Sequence, residues 1–239
     1  MGLRYRRLLL KISGEALLGD KTSGIDPKVL SFIAEEVKEA LSMGAEIAMV
    51  VGGGNFFRGI NSSQLGLDRI WGDYMGMLAT LLNGIALQNF LEKNGIPTRL
   101  ISALEIRAIA EPFIPKRALR HLEKGRVVIF ASGTGNPFFS TDTAAALRAV
   151  EMKADVLLKA TKVDGIFTAD PEKHREAKFF RRISYFQVLE KGLRIMDPTA
   201  VTLCMENDMP IIVFNIRGKG NLRKIILGEE VGTLVKKEV

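Results

Sequence analysis

Cysteine is almost absent from this sequence, which excludes a protein stabilised by disulfides within the chain. Cys204 is the single cysteine in 239 residues, so no disulfide can form within the chain. A chain without disulfides fits a reducing compartment, and we therefore expect a cytoplasmic protein. The neighbours Leu203 and Met205 are apolar, which favours a core position for Cys204 over a catalytic thiol.

Long hydrophobic runs are also lacking. Uninterrupted apolar runs reach only about five residues, whereas a membrane-spanning helix needs about 20. Residues 4–10, RYRRLLL, faintly imitate a secretion signal, but Lys11 ends the apolar run too early for one. We therefore expect a soluble protein without a membrane partner.

Aromatic residues and metal-ligand motifs are sparse. The net charge of +7 permits a partner that is an anionic small molecule or a nucleic acid. Aromatic residues are only 7% of the chain, and no basic stretch is interleaved with them, so we do not expect nucleic acid to be bound. The two histidines stand alone, and neither HExxH nor CxxC occurs, so we expect no metal held by the protein alone.

Short apolar runs do alternate with amphipathic segments, which predicts an α/β fold with a mostly parallel sheet. The predicted strands cover residues 5–13, 47–51, 98–101, 127–131, 156–158, 211–214 and, as a final edge strand, 231–235. The predicted helices cover residues 27–43, 70–93, 115–124, 143–152, 184–189, 196–207 and 221–227. The charged segment 172–182 is expected to be exposed.

Four strand ends carry groups suited to phosphate, at residues 11–14, 52–58, 133–142 and 159–170. Glycine lets backbone N–H groups approach an anion, and lysine or arginine adds charge. Each of these four segments also has an explanation that involves no ligand. In chain order, the explanations are an edge-strand lysine, a tight turn, a helix cap at 140–142 and a solvated strand exit. The glycine triplet matches neither GxxxxGK[ST] nor GxGxxG, so neither a P-loop nor a dinucleotide fold is indicated.

Two aspartates near predicted helix starts have alternative roles. Asp73 could accept hydrogen bonds from the hydroxyls of a sugar, or it could cap its helix. Asp197 precedes Pro198, which makes capping the leading explanation there. One phosphate group needs one binding loop, here called a phosphate cradle. Four strand ends suited to phosphate therefore indicate two phosphorylated ligands whose phosphate groups face each other. That arrangement predicts phosphoryl transfer, which needs positioning and charge neutralisation more than a protein nucleophile.

Five motifs resemble those of the bacterial uridylate (UMP) kinases of the amino-acid kinase superfamily. The motifs are KISGEAL at 11–17, GGGNFFRG at 52–59, GDYMGMLAT at 72–80, GTGNPFFSTD at 133–142 and KATKVDGIFTADP at 159–171. The resemblance implies transfer of the ATP γ-phosphoryl group to UMP, with Mg²⁺ accompanying ATP, in pyrimidine nucleotide synthesis. It also implies a single three-layer α/β/α domain of the carbamate kinase-like type, in which residues 1–150 bind UMP and residues 151–239 bind ATP.

The resemblance assigns roles residue by residue. The residues assigned to ATP are Lys11, Ile12, Ser13, Gly14, Gly54, Arg58, Thr161, Phe167 and Asp170. The residues assigned to UMP are Gly53, Asp73, Thr134, Gly135, Asn136, Pro137, Phe138, Phe139, Ser140 and Thr141. The catalytic assignments are Lys11, Asp142, Lys162 and Asp197.

The family is commonly a homohexamer that GTP activates and UTP inhibits. The loop assigned to effectors consists of Gly19, Asp20, Lys21, Thr22, Ser23 and Gly24. Many relatives carry an Arg-Asp pair where this chain has Gln88-Asn89, which leaves GTP activation open. Three rival functions remain at this point: a superfamily kinase for a carboxylate or carbamate, a non-catalytic nucleotide sensor, and a nucleic-acid-binding regulator.

Overall fold

The predicted alternation of strands and helices is present throughout the described chain. The structure is a computed structural model that describes residues 2–57, 66–171, 173–174, 176–193 and 195–238. Its strands are β1 (Arg7–Ile12), β2 (Glu46–Val51), β3 (Thr98–Ser102), β4 (Glu111–Pro112), β5 (Val127–Ala131), β6 (Val156–Thr161), β7 (Ile166–Phe167), β8 (Phe179–Phe180), β9 (Arg182–Ser184), β10 (Ile211–Asn215) and β11 (Thr233–Lys236). Its helices are α1 (Pro27–Ser42), α2 (Arg69–Lys93), α3 (Pro115–Glu123), α4 (Thr141–Glu151), α5 (Tyr185–Glu190), α6 (Pro198–Glu206) and α7 (Asn221–Leu227), with a short 3₁₀ helix at Gly14–Leu18.

Nine of the strands in the described ranges form one sheet, in the order β4-β3-β5-β2-β1-β6-β10-β11-β9. All pairs in it are parallel except β10 with β11, while β7 and β8 form a separate antiparallel hairpin. In the centre, β1 lies between β2 and β6, and Lys11 is in register with Lys159. Because parallel strands end at the same edge, this register brings the predicted phosphate-binding strand ends together.

Helices cover both faces of the sheet, which confirms the predicted three-layer α/β/α architecture. On one face, α1, α2 and α7 pack against alternate strand residues such as Leu8, Leu10 and Leu158. On the other face, α3, α4, α5 and α6 pack against the intervening residues, among them Leu9 and Leu157. Since successive strand residues point to opposite faces, each buried strand supplies both cores, and its sequence reads as a continuous apolar run.

The predicted elements agree with the structure to within two residues at each end, with one exception. Strand β6 continues to Thr161, three residues beyond its predicted end, so Lys159 lies inside the strand. Four short strands, β4, β7, β8 and β9, were not predicted. The segment 172–182 was expected to be only an exposed charged stretch, but among its described residues it contributes β8 and the start of β9.

The prediction that the last strand lies at the sheet edge was wrong. Strand β11 lies between β10 and β9, and the edge position belongs to β9. The reason is that β9 pairs in parallel with β11, from Leu234 opposite Arg182 to Lys236 opposite Ser184. A three-residue strand carries too little hydrophobic pattern to be recognised in the sequence.

Two further expectations concern single features of the chain. Cys204 is buried, as predicted, and burial together with the charge of Asp197 raises the pKa of its thiol to about 12. A thiol with so high a pKa is protonated at neutral pH and is inert.

In the part of the chain that the structure describes, no helix combines the length and the apolar character needed to cross a bilayer.

Candidate active site

A buried ionic cluster lies where β1, β6 and α4 meet. The Nζ atoms of Lys11 and Lys159 lie 2.7 Å and 2.5 Å from the same carboxylate oxygen, Oδ1 of Asp142. Only 6% of the Lys11 side chain and 11% of the Lys159 side chain are exposed. Two positive charges against one negative leave an excess of positive charge, held by the register of neighbouring strands and the first turn of α4.

The electrostatics of the cluster follow from burial and from this imbalance. Burial opposes ionisation of Asp142, but the ammonium groups of Lys11 and Lys159 outweigh it, so the pKa of the carboxyl lies below its ordinary value. Burial, and then the positive charge of Lys11, lower the pKa of Lys159 to about 8, against the attraction of Asp142. Since buried cations are costly without anionic partners, the excess charge makes this site suitable for a phosphate group.

The turns that follow β1 and β2 lie against each other. A Cβ atom added to Gly14 would lie 2.5 Å from the backbone nitrogen of Gly54, and one added to Gly52 would lie 2.8 Å from that of Gly14. The Ser13 hydroxyl accepts a hydrogen bond from the Ala16 N–H group, which starts the 3₁₀ helix. Only glycine permits such close contact, so the two predicted phosphate cradles form one continuous backbone surface. Arg58 lies outside the described residues.

The loop between β5 and α4 lies beside these turns. Ser140 is the N-cap of α4, and its hydroxyl accepts from the N–H groups of Asp142 and Thr143 at 3.0 Å and 3.2 Å. Of the alternatives left open for residues 140–142, Ser140 is therefore the cap, and the Asp142 carboxylate is left to the lysines. Phe138, in the left-handed region at φ +72°, and Phe139 are both exposed.

Asp197 joins this loop to α6. Its carboxylate caps α6 by accepting from the Ala200 N–H group at 3.0 Å, which confirms the capping prediction. The same carboxylate accepts hydrogen bonds from the hydroxyls of Ser140 and Thr143. It therefore ties the starts of α4 and α6 together through the residues on either side of Asp142. Its catalytic role stays a prediction.

Asp73 faces the loop at the mouth of a small cavity. The helix cap at the start of α2 is Asp68, so Asp73 is not a cap. One Asp73 carboxylate oxygen accepts from the Phe138 N–H group at 2.8 Å and pairs with Arg69 at 2.9 Å. The cavity has a volume of about 200 Å³. Predicted site residues that line it are Gly53, Gly54, Asp73, Thr134, Phe139, Ser140 and Thr141.

The segment after β6 carries the predicted contacts to the ATP nucleoside. The Thr161 hydroxyl lies 2.6 Å and 3.1 Å from the carbonyl oxygens of Val163 and Phe214. The Phe167 ring packs against that of Phe179, with 5.2 Å between centroids. Asp170 is exposed at the end of the segment. Thr161 is the last residue of β6, and Phe167 and Asp170 follow it, so the segment leaves the sheet at the edge where β1 ends after Lys11.

Lys162 is not part of the ionic cluster. It is exposed, and it lines a cavity of about 250 Å³ together with Ile12, Gly19 and Asp20. The buried side chain of Ile12 belongs to the α1, α2 and α7 face of the sheet, opposite to the face on which Lys11 meets Asp142. Lys162 therefore lies outside the ion-paired cluster of Lys11, Lys159 and Asp142, and its catalytic role stays a prediction.

The loop assigned to effectors borders the same cavity. Gly24 exchanges hydrogen bonds with Asn55, which follows the glycine triplet, and Lys21 donates to the Ile25 carbonyl at 3.0 Å. The side chain of Gln88 is partly buried and that of Asn89 is exposed on α2. The effector roles of residues 19–24 stay predictions.

Lys159 is the member of the cluster that the sequence-based assignment missed. Its position in a strand end rich in lysine was visible, but Lys162 was assigned instead. The signal that could have identified it is the alternation of β6, because residue 159 shares a strand face with residue 157 and not with residue 162. No group of three or more His, Cys, Asp or Glu side chains in the described ranges could hold a metal ion.

Comparison with known proteins now identifies the family. The sequence matches the model of the amino acid kinase family over residues 6–215. The fold is similar to that of UMP kinase from Bacillus anthracis, with a TM-score of 0.95 and 38% identity over 98% of this chain and 97% of that one. UMP kinase from Ureaplasma parvum gives a TM-score of 0.91 and 34% identity, over 98% of this chain and 100% of the other. Uridylate kinase from Archaeoglobus fulgidus gives 0.73 and 27%, over 95% and 99% of the two chains. The chain belongs to the amino acid kinase family.

Proposed function

We propose that this chain transfers the γ-phosphoryl group of ATP to UMP, giving ADP and UDP. The observation that carries the proposal is the buried cluster in which Lys11 and Lys159 share the carboxylate of Asp142 beside two glycine turns. Two structures that are 38% and 34% identical to this chain are UMP kinases, which supports UMP as the acceptor.

The chemistry requires charge neutralisation and no protein nucleophile. A phosphate oxygen of UMP forms a bond to the γ-phosphorus while the bond from that phosphorus to the bridging oxygen of ATP breaks, and ADP leaves with the electron pair. Lys11 and Lys159 neutralise negative charge on the group in transfer. Asp142 holds both ammonium groups in place and compensates part of their charge when the site is empty.

The two nucleotides are proposed to occupy different parts of the chain. UMP lies on the N-terminal part, about residues 1–150, where the Asp73 carboxylate accepts hydrogen bonds from the ribose hydroxyls. Residues 134–141 surround the uridine and its phosphate, and the cavity of about 200 Å³ between them and Asp73 supports this placement. ATP lies mainly on residues 151–239, with its phosphates at Lys11, Ser13, Gly14, Gly54 and Arg58.

Mg²⁺ is proposed to enter with ATP. In the described ranges, no cluster of side chains could form a protein cage for a metal ion, and Asp142 is already engaged by two lysines. The phosphate oxygens would therefore supply most of the metal ligands, as is usual for Mg²⁺ bound with a nucleotide. The ion would add positive charge to that supplied by Lys11 and Lys159.

The decisive experiment is an assay of ADP release across possible acceptors. Purified enzyme with ATP and Mg²⁺ would be given UMP, CMP, glutamate or carbamate in turn. We expect UMP to be phosphorylated with the highest kcat/KM. Faster turnover of glutamate or carbamate would contradict the proposal and indicate a different acceptor within the family.

We further propose that the chain forms a homo-oligomer, a hexamer by resemblance, through the outer face of α2. Trp71, Met75, Leu78, Leu82 and Ile85 are all exposed and follow a spacing of four, three, four and three residues. This heptad spacing places them in one stripe, which a second copy of the same helix can match. Sedimentation of Leu78→Glu with Leu82→Glu would test it. We expect smaller particles than for wild type, and an unchanged size would contradict this interface.

We also propose that GTP and UTP regulate the enzyme through the loop of residues 19–24. The loop of residues 19–24 touches the glycine triplet through Asn55, which supports a path from that loop to the site. UDP formation would be measured with and without each nucleotide. Rates independent of both would remove the effector role from this chain.

A further inference from the structure

The inner face of α2 carries two fully buried polar side chains. Thr80 is 2% exposed and Asn83 is 0% exposed, and they lie three residues apart, so they share one face of the helix. Buried polar groups destabilise a fold unless they are hydrogen-bonded, so the partners of these two side chains show what their burial achieves.

Asn83 binds the turn that follows β2. Its Nδ2 group donates to the Gly52 carbonyl at 2.6 Å and to Oδ1 of Asn55 at 2.7 Å, and its Oδ1 accepts from Nδ2 of Asn55 at 2.9 Å. The second proton of Asn55 Nδ2 goes to the Gly24 carbonyl at 2.9 Å. All four amide protons of the pair are therefore used, and the glycine triplet is held from both of its ends.

The same pair of amides sets the distance between the two phosphate cradles. A Cβ atom on Gly14 would lie 2.5 Å from Oδ1 of Asn55, so this oxygen is packed directly against the turn that follows β1. On the other side, a Cβ atom on Gly53 would lie 2.8 Å from the Gly76 carbonyl and from Cβ of Ala79 in α2. The triplet is thus confined between the Lys11 turn and the helix.

Thr80 binds the other loop of the site, one turn earlier on the helix. Its Oγ1 accepts from the Ser132 N–H group at 2.7 Å and donates to the Met77 carbonyl at 2.7 Å. Ser132 is a non-glycine residue at φ +62°, an unfavourable backbone region, and its hydroxyl is 2.9 Å from that of Ser102. The chain then enters the segment that begins with Gly133.

From these contacts we infer that Asn83 and Thr80 are positioning residues with separate roles. Asn83 holds the glycine triplet where the two phosphates meet, and Thr80 holds the loop of residues 134–141 that surrounds UMP. The inference rests on the proposed function. Asn83 is fully enclosed between α2 and the glycine turn. Thr80 borders the cavity of about 200 Å³ proposed for UMP, but it is only 2% exposed and its hydroxyl is already engaged by Ser132 and Met77, so it acts through the loop that it binds.

The two roles predict opposite kinetic signatures. Misplacing transfer groups by about 1 Å lowers a rate about 100-fold, so Asn83→Ala should lower kcat by about 10-fold to 100-fold, with both KM values within about threefold of wild type. Thr80→Val retains the volume and removes the hydroxyl. It should raise the KM for UMP about tenfold, with kcat and the KM for ATP within about threefold. Thr80→Ser keeps a hydroxyl and should restore the KM for UMP.

The control is Asn94→Ala, at the far end of the same helix. Asn94 is exposed and donates one hydrogen bond to the Phe90 carbonyl, so its loss weakens α2 without touching either loop. We expect wild-type kinetics for it. Thermal unfolding followed by circular dichroism would show whether each variant is folded at the temperature of the kinetic assay. If Asn83→Ala does not fold, Asn83→Asp keeps the volume, replaces the donor to Gly52, and should show the same loss of kcat.

Two results would overturn the inference while wild type still makes UDP. One is wild-type kcat in folded Asn83→Ala and Asn83→Asp. The other is an identical change of kcat and KM in the Asn83 and Thr80 variants, which would indicate general destabilisation. Absence of UDP formation by wild-type enzyme would instead contradict the proposed function.

Discussion

Strand β6 and the loop that follows it each contain one lysine. The two lysines are three residues apart in the chain but lie in very different surroundings. Lys159 is buried inside the strand and ion-paired with Asp142, whereas Lys162 follows the strand end, is exposed and lines a different cavity. Composition and spacing make both equally suitable for phosphate. The difference shows that a basic residue acquires a strong local field only where burial removes water and a second cation lies nearby.

The strongest test of the buried cluster is Lys11→Ala. Without the Lys11 ammonium group, the negative charge of the phosphoryl group in transfer is less well neutralised. This loss should cost about 4 kcal/mol in the transition state, or about a thousandfold in rate. The KM for UMP should stay near the wild-type value, because the predicted ribose and uridine contacts are elsewhere. Steady-state kinetics would measure both. Turnover close to wild type would remove Lys11 from the reaction.

Lys159→Met and Lys162→Met remove the same charge from the buried and the exposed environment. We expect kcat to fall about 100-fold for Lys159→Met, because its ammonium group lies in a buried field. Lys162→Met should change kcat less than about tenfold, since solvent screens an exposed charge. Equal losses would show that the position of Lys162 at the exit of β6 matters as much as burial.

A similar contrast exists between two aspartates at the start of α2. The Asp73 carboxylate accepts a hydrogen bond from the Phe138 N–H group, whereas Asp68 is the N-cap residue of α2 and makes no side-chain capping hydrogen bond. Asp73→Ala should raise the KM for UMP about tenfold through loss of a charge-assisted hydrogen bond. Asp68→Ala serves as the control and should leave that KM unchanged. An unchanged KM in Asp73→Ala would exclude Asp73 from the UMP site.

The lowered pKa of Lys159, about 8, predicts opposite effects of pH on activity and stability. Above pH 8 the ligand-free folded protein loses this charge, so kcat/KM should fall by up to about tenfold per pH unit. Between pH 8 and the ordinary lysine value of 10.5, the unfolded chain binds more protons than the folded one. This titration should therefore raise the free energy of unfolding as the pH rises, by at most about 1 kcal/mol per pH unit.

The matched variant for this pH dependence is Lys159→Arg, whose charge persists throughout the range. Its kcat/KM should lose the alkaline decline with an apparent pKa near 8, even if its absolute rate is lower. Denaturant titrations of wild type and Lys159→Met from pH 7 to 10 would give the stability term. An alkaline decline retained in Lys159→Arg would assign the titration to another group.

Local sequence was sufficient for most of the fold. Buried strands such as β5 are uninterrupted apolar runs, and α1 has a cap at Asp26, Pro27 at its first position and a regular apolar spacing. These signals depend on a few neighbouring residues, so they are readable without knowledge of distant contacts. The short strands β9 and β11 were harder, because their pairing depends on each other and on β10.

Some residues of the site were predicted from the sequence and others were not, again because the missed residues depend on contacts between distant parts of the chain. The motif resemblance assigned Lys11, Asp142 and the loop of residues 134–141, and the structure brings Asp142 to Lys11. It did not assign Lys159, because the pairing of β1 with β6 joins residues 148 positions apart in the chain. Thr80 and Asn83 were missed because a polar residue in an apolar helix has no recognisable partner until the loops are in place.

The sequence by itself determined the alternation of strands and helices, the glycine turns at the strand ends and the supply of cations there. Those properties are local, since they follow from side-chain periodicity and backbone freedom within a few residues. Only the tertiary structure decided which lysines share Asp142 and which polar groups hold the turns. The reason is that parallel strand order, burial and pKa all depend on contacts between residues that are distant in the chain.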